Sequence, residues 1–252
     1  MADKRTRACI FCGETPVTRE HLVPQWVTAV LKRDPRGFPR PVMIQRTTGS
    51  GRSHQWSGGH DIDATAKCVC RQCNHGWMAN LEESARPLLQ KMMTGRIVKL
   101  DTHGQSLVAK WLALRALVFR YFAEPIAEPE REWLDYFFEH RVPPPTCYQW
   151  ITAYNGQKVF HFAGNDIVVS RVRGIATEPS HTPHGILMTL VLGYLAAKLL
   201  WIRKGEPGDL DLPGLVRVWP ARDTALIWPP SRTPPLDETG LEALTRMFLS
   251  PP

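Results

Sequence analysis

The 252-residue sequence has no uninterrupted apolar run of membrane-spanning length. Its longest candidate, residues 186–202, is interrupted by Thr189, Gly193 and Lys198 and reads as a buried strand or helix of a globular core. The first residues, Met-Ala-Asp-Lys-Arg-Thr-Arg-Ala-Cys, show no apolar segment behind their basic residues. No secretory signal is visible, and a cytoplasmic protein without a membrane association is expected. The C-terminal part lacks a nucleotide-binding glycine loop, a Walker motif and a nucleophile elbow, so it carries none of those chemistries. Apolar residues are not scarce: 43% hydrophobic and 22% charged excludes a disordered chain and suits one large domain or two small ones.

Negative charge is scarce in one region only. Residues 1–100 hold 16 Lys+Arg against 8 Asp+Glu, whereas residues 101–252 hold 15 against 16. The overall charge of +7 therefore belongs to the N-terminal two-fifths. A segment this basic suits a polyanionic partner such as nucleic acid, or simply a solvated surface.

Cysteine is also sparse, with six residues at positions 9, 12, 68, 70, 73 and 147, but their spacing is informative. Two C-x-x-C units, Cys9-Ile-Phe-Cys12 and Cys70-Arg-Gln-Cys73, stand 57 residues apart. Without an export signal, paired C-x-x-C units read as a metal site rather than as disulfides. Each presents two sulfurs to one ion, and two such knuckles complete the tetrahedron that zinc prefers. A zinc that closes a loop this long is structural, and its binding energy is folding energy. Cys68 offers a competing thiolate, and Cys147, after a run of prolines, reads as a packing residue.

Glu20-His21 follows the first knuckle, and Asn74-His75 follows the second at once. One ion joining the knuckles would draw these segments together. A carboxylate and an amide carbonyl are hard oxygen ligands suited to a cation such as Mg²⁺. An imidazole, with an ordinary pKa near 6.5, is suited to taking a proton from water.

This arrangement of C-x-x-C, acidic-His and C-x-x-C-Asn resembles the zinc-bound branch of the HNH, or ββα-metal, endonucleases, and is nearest in pattern to the phage endonuclease VII-like members. The resemblance covers about residues 9–82. It implies Cys9, Cys12, Cys70 and Cys73 as ligands of a structural zinc, His21 as the general base, and Glu20 and Asn74 as holders of one catalytic Mg²⁺ or Mn²⁺. It implies metal-dependent hydrolysis of DNA phosphodiester bonds, leaving 5′-phosphate and 3′-hydroxyl ends. Arg19, Lys67, Arg71 and His75 flank the motif and are candidates for clamping neighbouring phosphates. Thr65 stands where the family has an asparagine that orients the histidine loop, with Asp61 and Asp63 as possible substitutes. The alternative is a non-catalytic zinc-knuckle nucleic-acid-binding protein, a degenerate relative. A third reading is a structural zinc in a partner-binding protein.

Residues 42–48 and 52–56 read as a hairpin whose Arg46 and Arg52 extend the basic surface. A helix is expected from Asn74 through Met93, kinked or broken at Pro87, with Trp77, Met78 and Leu81 on its buried face. Residues 105–122 form the clearest helix, a wide apolar stripe with Lys110, Arg115 and Arg120 at its polar margins. Residues 130–139 suggest another, acidic and aromatic-rich. Strands are expected from Tyr148 onward: a hairpin turning at Asn155-Gly156, a third strand from Asp166, and residues 186–202 as a fourth that passes into a helix. Short strands near 215–219 and 225–228 and a helix over 236–249 complete the chain. His181-x-x-His184 has ligand spacing, but Pro183 within it argues against a metal role.

The expected fold class is α+β. Residues 1–100 would form a zinc-knuckle ββα-metal nuclease module. Residues 101–252 would form a helical and mainly antiparallel α+β module, available to a protein partner or a second copy of the chain.

Overall fold

The structure is a computed structural model describing residues 8–37, 42–47, 53–58, 64–123, 128–167, 185–202, 210–231 and 233–247. Only the backbone is described for residues 42–47, 53–58, 123, 128–130 and 165–167. Asp61, Asp63, Arg52, His181 and His184 lie outside the described residues, as does the side chain of Arg46.

The class is α+β. Strand β1 (Val17–His21) pairs antiparallel with β4 (Thr65–Cys70), placing His21 opposite Thr65 and Val17 opposite Cys70. Between them in the chain come α1 (Gln25–Leu31) and the hairpin β2 (Val42–Thr47)–β3 (Ser53–Gly58), at the expected position. Strand β4 runs directly into α2 (Arg71–Cys73), a wide π turn over Asn74–Met78, and α3 (Ala79–Met93). Regular helix thus starts later than the sequence suggests, because Gly76 takes up non-helical angles (φ −96°, ψ −112°). Pro87 lies inside α3 without ending it. The carbonyl that its missing N–H leaves free belongs to Glu83, an exposed residue open to water.

Strand β5 (Val98–Leu100) leads into α4 (Thr102–Ala123) and α5 (Glu128–His140). Then come β6 (Cys147–Ala153), β7 (Phe160–Ile167), β8 (Gly185–Leu192), β9 (Leu195–Ile202), β10 (Val216–Trp219), β11 (Leu226–Trp228) and α6 (Glu238–Arg246). A seven-stranded sheet has the order β10-β6-β9-β8-β7-β2-β3, and β11 pairs separately with β5. Only the β2–β7 pairing in the large sheet is parallel.

Two expectations for this sheet are corrected. Strands β6 and β7 do not form a hairpin around Asn155-Gly156, because β9 and β8 lie between them. The Asn-Gly segment is tied elsewhere: the Asn155 N–H bonds the Leu236 carbonyl, and the Glu238 carboxylate accepts from the Tyr154 hydroxyl (2.9 Å) and the Gln157 N–H (2.6 Å). Residues 186–202 do not pass into a helix. Gly193, at φ +59°, reverses the chain, so the run becomes the tight β8–β9 hairpin, every residue of whose strands is buried.

One apolar cluster joins both halves of the chain, from Cys9 and Val27 through Trp111 to Ile151, Met188 and Trp228. On the other face of the sheet, Tyr154, Val191 and Ala196 pack with Leu241 and Leu244 of α6. Helix α4 lies at the centre. Arg115 does not sit at a polar margin: it is 1% exposed, because α4 is covered on all sides along its second half. No helix among the described residues is long and apolar enough to cross a membrane.

Candidate metal centre and adjoining cavity

The first knuckle is a turn, with the Gly13 N–H bonded to the Cys9 carbonyl and Gly13 at φ +76°. A side chain would be strained there, which explains the glycine after Cys12. The Ile10 N–H bonds the Cys68 carbonyl at 2.8 Å and fastens this turn to β4. The second knuckle is the junction of β4 and α2, where the Cys70 sulfur accepts the Cys73 N–H at 3.4 Å.

The sulfurs of Cys9, Cys12, Cys70 and Cys73 all lie within 4.8 Å of one another. Cys12 Sγ is 3.5 Å from Cys70 Sγ and 3.6 Å from Cys73 Sγ. Thiolates around a tetrahedral zinc, each at about 2.3 Å, stand roughly 3.8 Å apart. The four cysteines can therefore hold one metal ion such as zinc. Cys68 is outside this group: it is fully buried, and desolvation pushes its thiol up to about 12, so it remains protonated. Cys147 is buried in the core, as a packing residue should be.

Beside the cysteines lies a cavity of about 490 Å³ whose lining includes Arg19, Glu20, His21, Asn74, His75 and Glu82. Strand β1 delivers the first three, the π turn the next two, and α3 the last. The β1–β4 pairing, with Val17 opposite Cys70, and the Asn74–Thr18 bond bring the start of the π turn against β1, so the two motif halves reach one concavity despite their separation in sequence. Asn74 donates its amide to the Thr18 hydroxyl (3.4 Å), and among the described residues its Oδ1 accepts no hydrogen bond. The Gln25 amide faces the His21 imidazole at 3.5 Å. Of the proposed phosphate clamps, Arg19 and His75 line the cavity. Lys67 and Arg71 are exposed but stand outside its lining.

Two residues escape a motif-based reading: Glu82, which lines the cavity, and Arg115, which is buried against Glu20 and Glu82. Arg115 of α4 donates to Glu20 Oε1 at 2.8 Å and to the His21 carbonyl at 3.1 Å, and its other terminal nitrogen is 3.2 Å from Glu82 Oε1. Its guanidinium thus bridges two carboxylates and pins the backbone of the histidine segment. The Leu22 N–H bond to the carbonyl of Ala64, the residue before β4, pins it from the other strand's end (2.9 Å). Thr65 occupies the expected register position, but among the described residues its side chain makes no hydrogen bond to that segment. Desolvation raises the carboxyl pKa of Glu82, reinforced by the nearby charge of Glu20 and opposed by Arg115.

A signal for each existed in the sequence. Glu82 falls eight residues after Asn74, close to the same helical face, and Arg115 is a lone charge inside the apolar run 111–119. Searches against models of protein families, against curated proteins and against solved structures find no match to this chain.

Proposed function

We propose that this chain is a zinc-scaffolded endonuclease of the HNH-like, ββα-metal type that hydrolyses DNA phosphodiester bonds. The observation that carries the reading is the presence of Glu20, His21 and Asn74 in one cavity beside four convergent cysteines. The order of β1, β4 and then the helical segment that follows it around that cavity supports a ββα-metal reading.

In this reading Cys9, Cys12, Cys70 and Cys73 hold zinc, which fixes the two halves of the site against each other. His21 takes the proton from the attacking water, with Gln25 and the pinned carbonyl limiting the freedom of the imidazole. Glu20 keeps Oε2 beyond its bond to Arg115, and Asn74 keeps Oδ1. Together these two hard oxygens suit a single Mg²⁺ or Mn²⁺. When bound, that cation supplies charge stabilisation to the phosphate and the leaving oxygen. Arg19 and His75 place positive or hydrogen-bonding groups beside the phosphate.

Zinc-loaded protein is expected to nick or linearise plasmid DNA when Mg²⁺ or Mn²⁺ is added. His21→Ala should abolish cleavage while keeping zinc content and DNA binding. Full cleavage by that variant removes the base assignment. Salt-sensitive DNA binding with no cleavage under any divalent cation would instead establish the second reading, a binding module without catalysis.

A further inference from the structure

A second cavity, of about 690 Å³, lies away from the cysteines at the far ends of α1 and α3. Its lining includes Arg33, Asp34, Lys91, Arg96 and Tyr194. The same two helices join it to the first cavity. Helix α1 offers Gln25 and Trp26 to one and Val30 and Leu31 to the other, while α3 offers Ala79 and Glu82 to one and Gln90 and Lys91 to the other. Between them Arg86 lies over the Trp26 ring, 5.7 Å from its centroid.

The charge of this second cavity is one-sided. Among the described residues Asp34 is its only acidic lining residue, and Arg36 neutralises it through bonds of 2.8 and 2.6 Å. Burial works against the Asp34 carboxylate, yet Arg36 still holds its pKa below the ordinary value. Arg36 is itself fixed by the Gly156 carbonyl at 2.9 Å and by the Tyr194 ring, 4.2 Å from its centroid, so this wall is preorganised. That leaves Arg33, Lys91 and Arg96 exposed, and among the described residues none of them is ion-paired. Three uncompensated cations around a concavity favour a polyanion, and a regular polyanion fits better than a single anion because Arg86 continues the charge towards the first cavity.

We propose that this cavity is the path of the substrate's sugar-phosphate backbone, with Arg33, Lys91 and Arg96 holding phosphates of a DNA strand that continues past Arg86 to the first cavity. The direction of the path rests on the nuclease reading. The binding surface itself does not. Helix α3, at 15 residues, is about 22 Å long, which matches the rise of roughly six to seven nucleotides in a duplex.

The test uses the full-length, zinc-loaded chain and a fluorescent 30-base-pair DNA duplex, with no other divalent cation present. Anisotropy is measured between 50 and 200 mM salt. The triple variant Arg33→Gln, Lys91→Gln, Arg96→Gln should lower the slope of log affinity against log salt by about 2–3, at roughly 0.9 per phosphate contact. At 100 mM salt it should bind on the order of 10–100-fold more weakly. A control variant, Lys99→Gln, Lys158→Gln, Arg246→Gln, removes equal charge from exposed sites outside both cavities and should change the slope by less than about 1. Equal losses in the two variants, or no loss in the first, overturn the proposal. Cleavage that persists in the first variant with unchanged binding leaves the nuclease reading standing without the path. Binding through these residues with no cleavage under any metal upholds the path and removes the nuclease reading. Absence of DNA binding by the unaltered chain refutes both.

Discussion

Removing the guanidinium of Arg115 tests the link between the central helix and the candidate site. Arg115 is 1% exposed, and the Glu20 and Glu82 side chains are 10% and 21% exposed. Arg115→Met keeps most of the volume but leaves two carboxylates facing a buried void of positive charge. Breaking a buried ion pair in this way costs about 3–5 kcal/mol, mostly because the remaining charge has lost its partner. The double variant Arg115→Met, Glu82→Gln removes one of the two orphaned charges and should recover about 1–2 kcal/mol relative to Arg115→Met alone. Arg115→Lys keeps the charge but cannot serve two carboxylates and the His21 carbonyl with one planar fork, so a loss of about 1–2 kcal/mol is expected. Urea unfolding at pH 7.5, with the slope unchanged across variants, gives these values directly. A loss below about 1 kcal/mol for Arg115→Met, or no coupling to Glu82, would show that the bridge does not hold these elements together.

Removal of zinc by a chelator, or Cys70→Ser, should release one metal ion per chain and lower Tm by about 10 °C or more, checked by metal analysis and calorimetry. Gly193→Ala should destabilise by about 2–4 kcal/mol, because the position has φ +59° and the added carbon would lie 2.3 Å from the Met93 carbonyl oxygen; urea unfolding measures this. Lys198 is buried beneath α6, donating to Thr189 Oγ1 (2.9 Å) and the Thr245 carbonyl (3.3 Å), and desolvation pushes its pKa down from 10.5 to about 7. Between those values the native chain binds fewer protons than the unfolded chain. Its contribution is therefore complete above pH 10.5 and is lost as pH falls through about 7. Stability should rise over that window by several kcal/mol at most, and Lys198→Met should flatten the rise seen in unfolding free energy between pH 7 and 9.5.

Local chemistry made much of the site legible in the sequence. A C-x-x-C unit has few uses in a chain of this kind, so the four cysteines could be paired across 57 residues without a structure. Asn74 directly follows Cys73, and Glu20 and His21 lie within nine residues of Cys12, so whatever draws the knuckles together keeps these segments near one another. The helices over 102–123 and 128–140 and the β2–β3 hairpin were legible for a similar reason, since periodicity and turn residues act within a few positions. The Asn155-Gly156 turn misled because its local preference is small beside the burial gained when the β8–β9 hairpin inserts between β6 and β7.

By itself the sequence determined the α+β class and the cysteine set, and it pointed to Glu20, His21 and Asn74 as residues to look for near that set. Only the tertiary structure decided the strand order, the exclusion of Cys68, the place of Glu82 in the cavity, and the bridge that Arg115 makes to Glu20 and Glu82. The division has one physical cause. Covalent spacing constrains neighbours directly, whereas a charge on α4 meets Glu20, 95 positions away, only because both elements bury their apolar faces in one core.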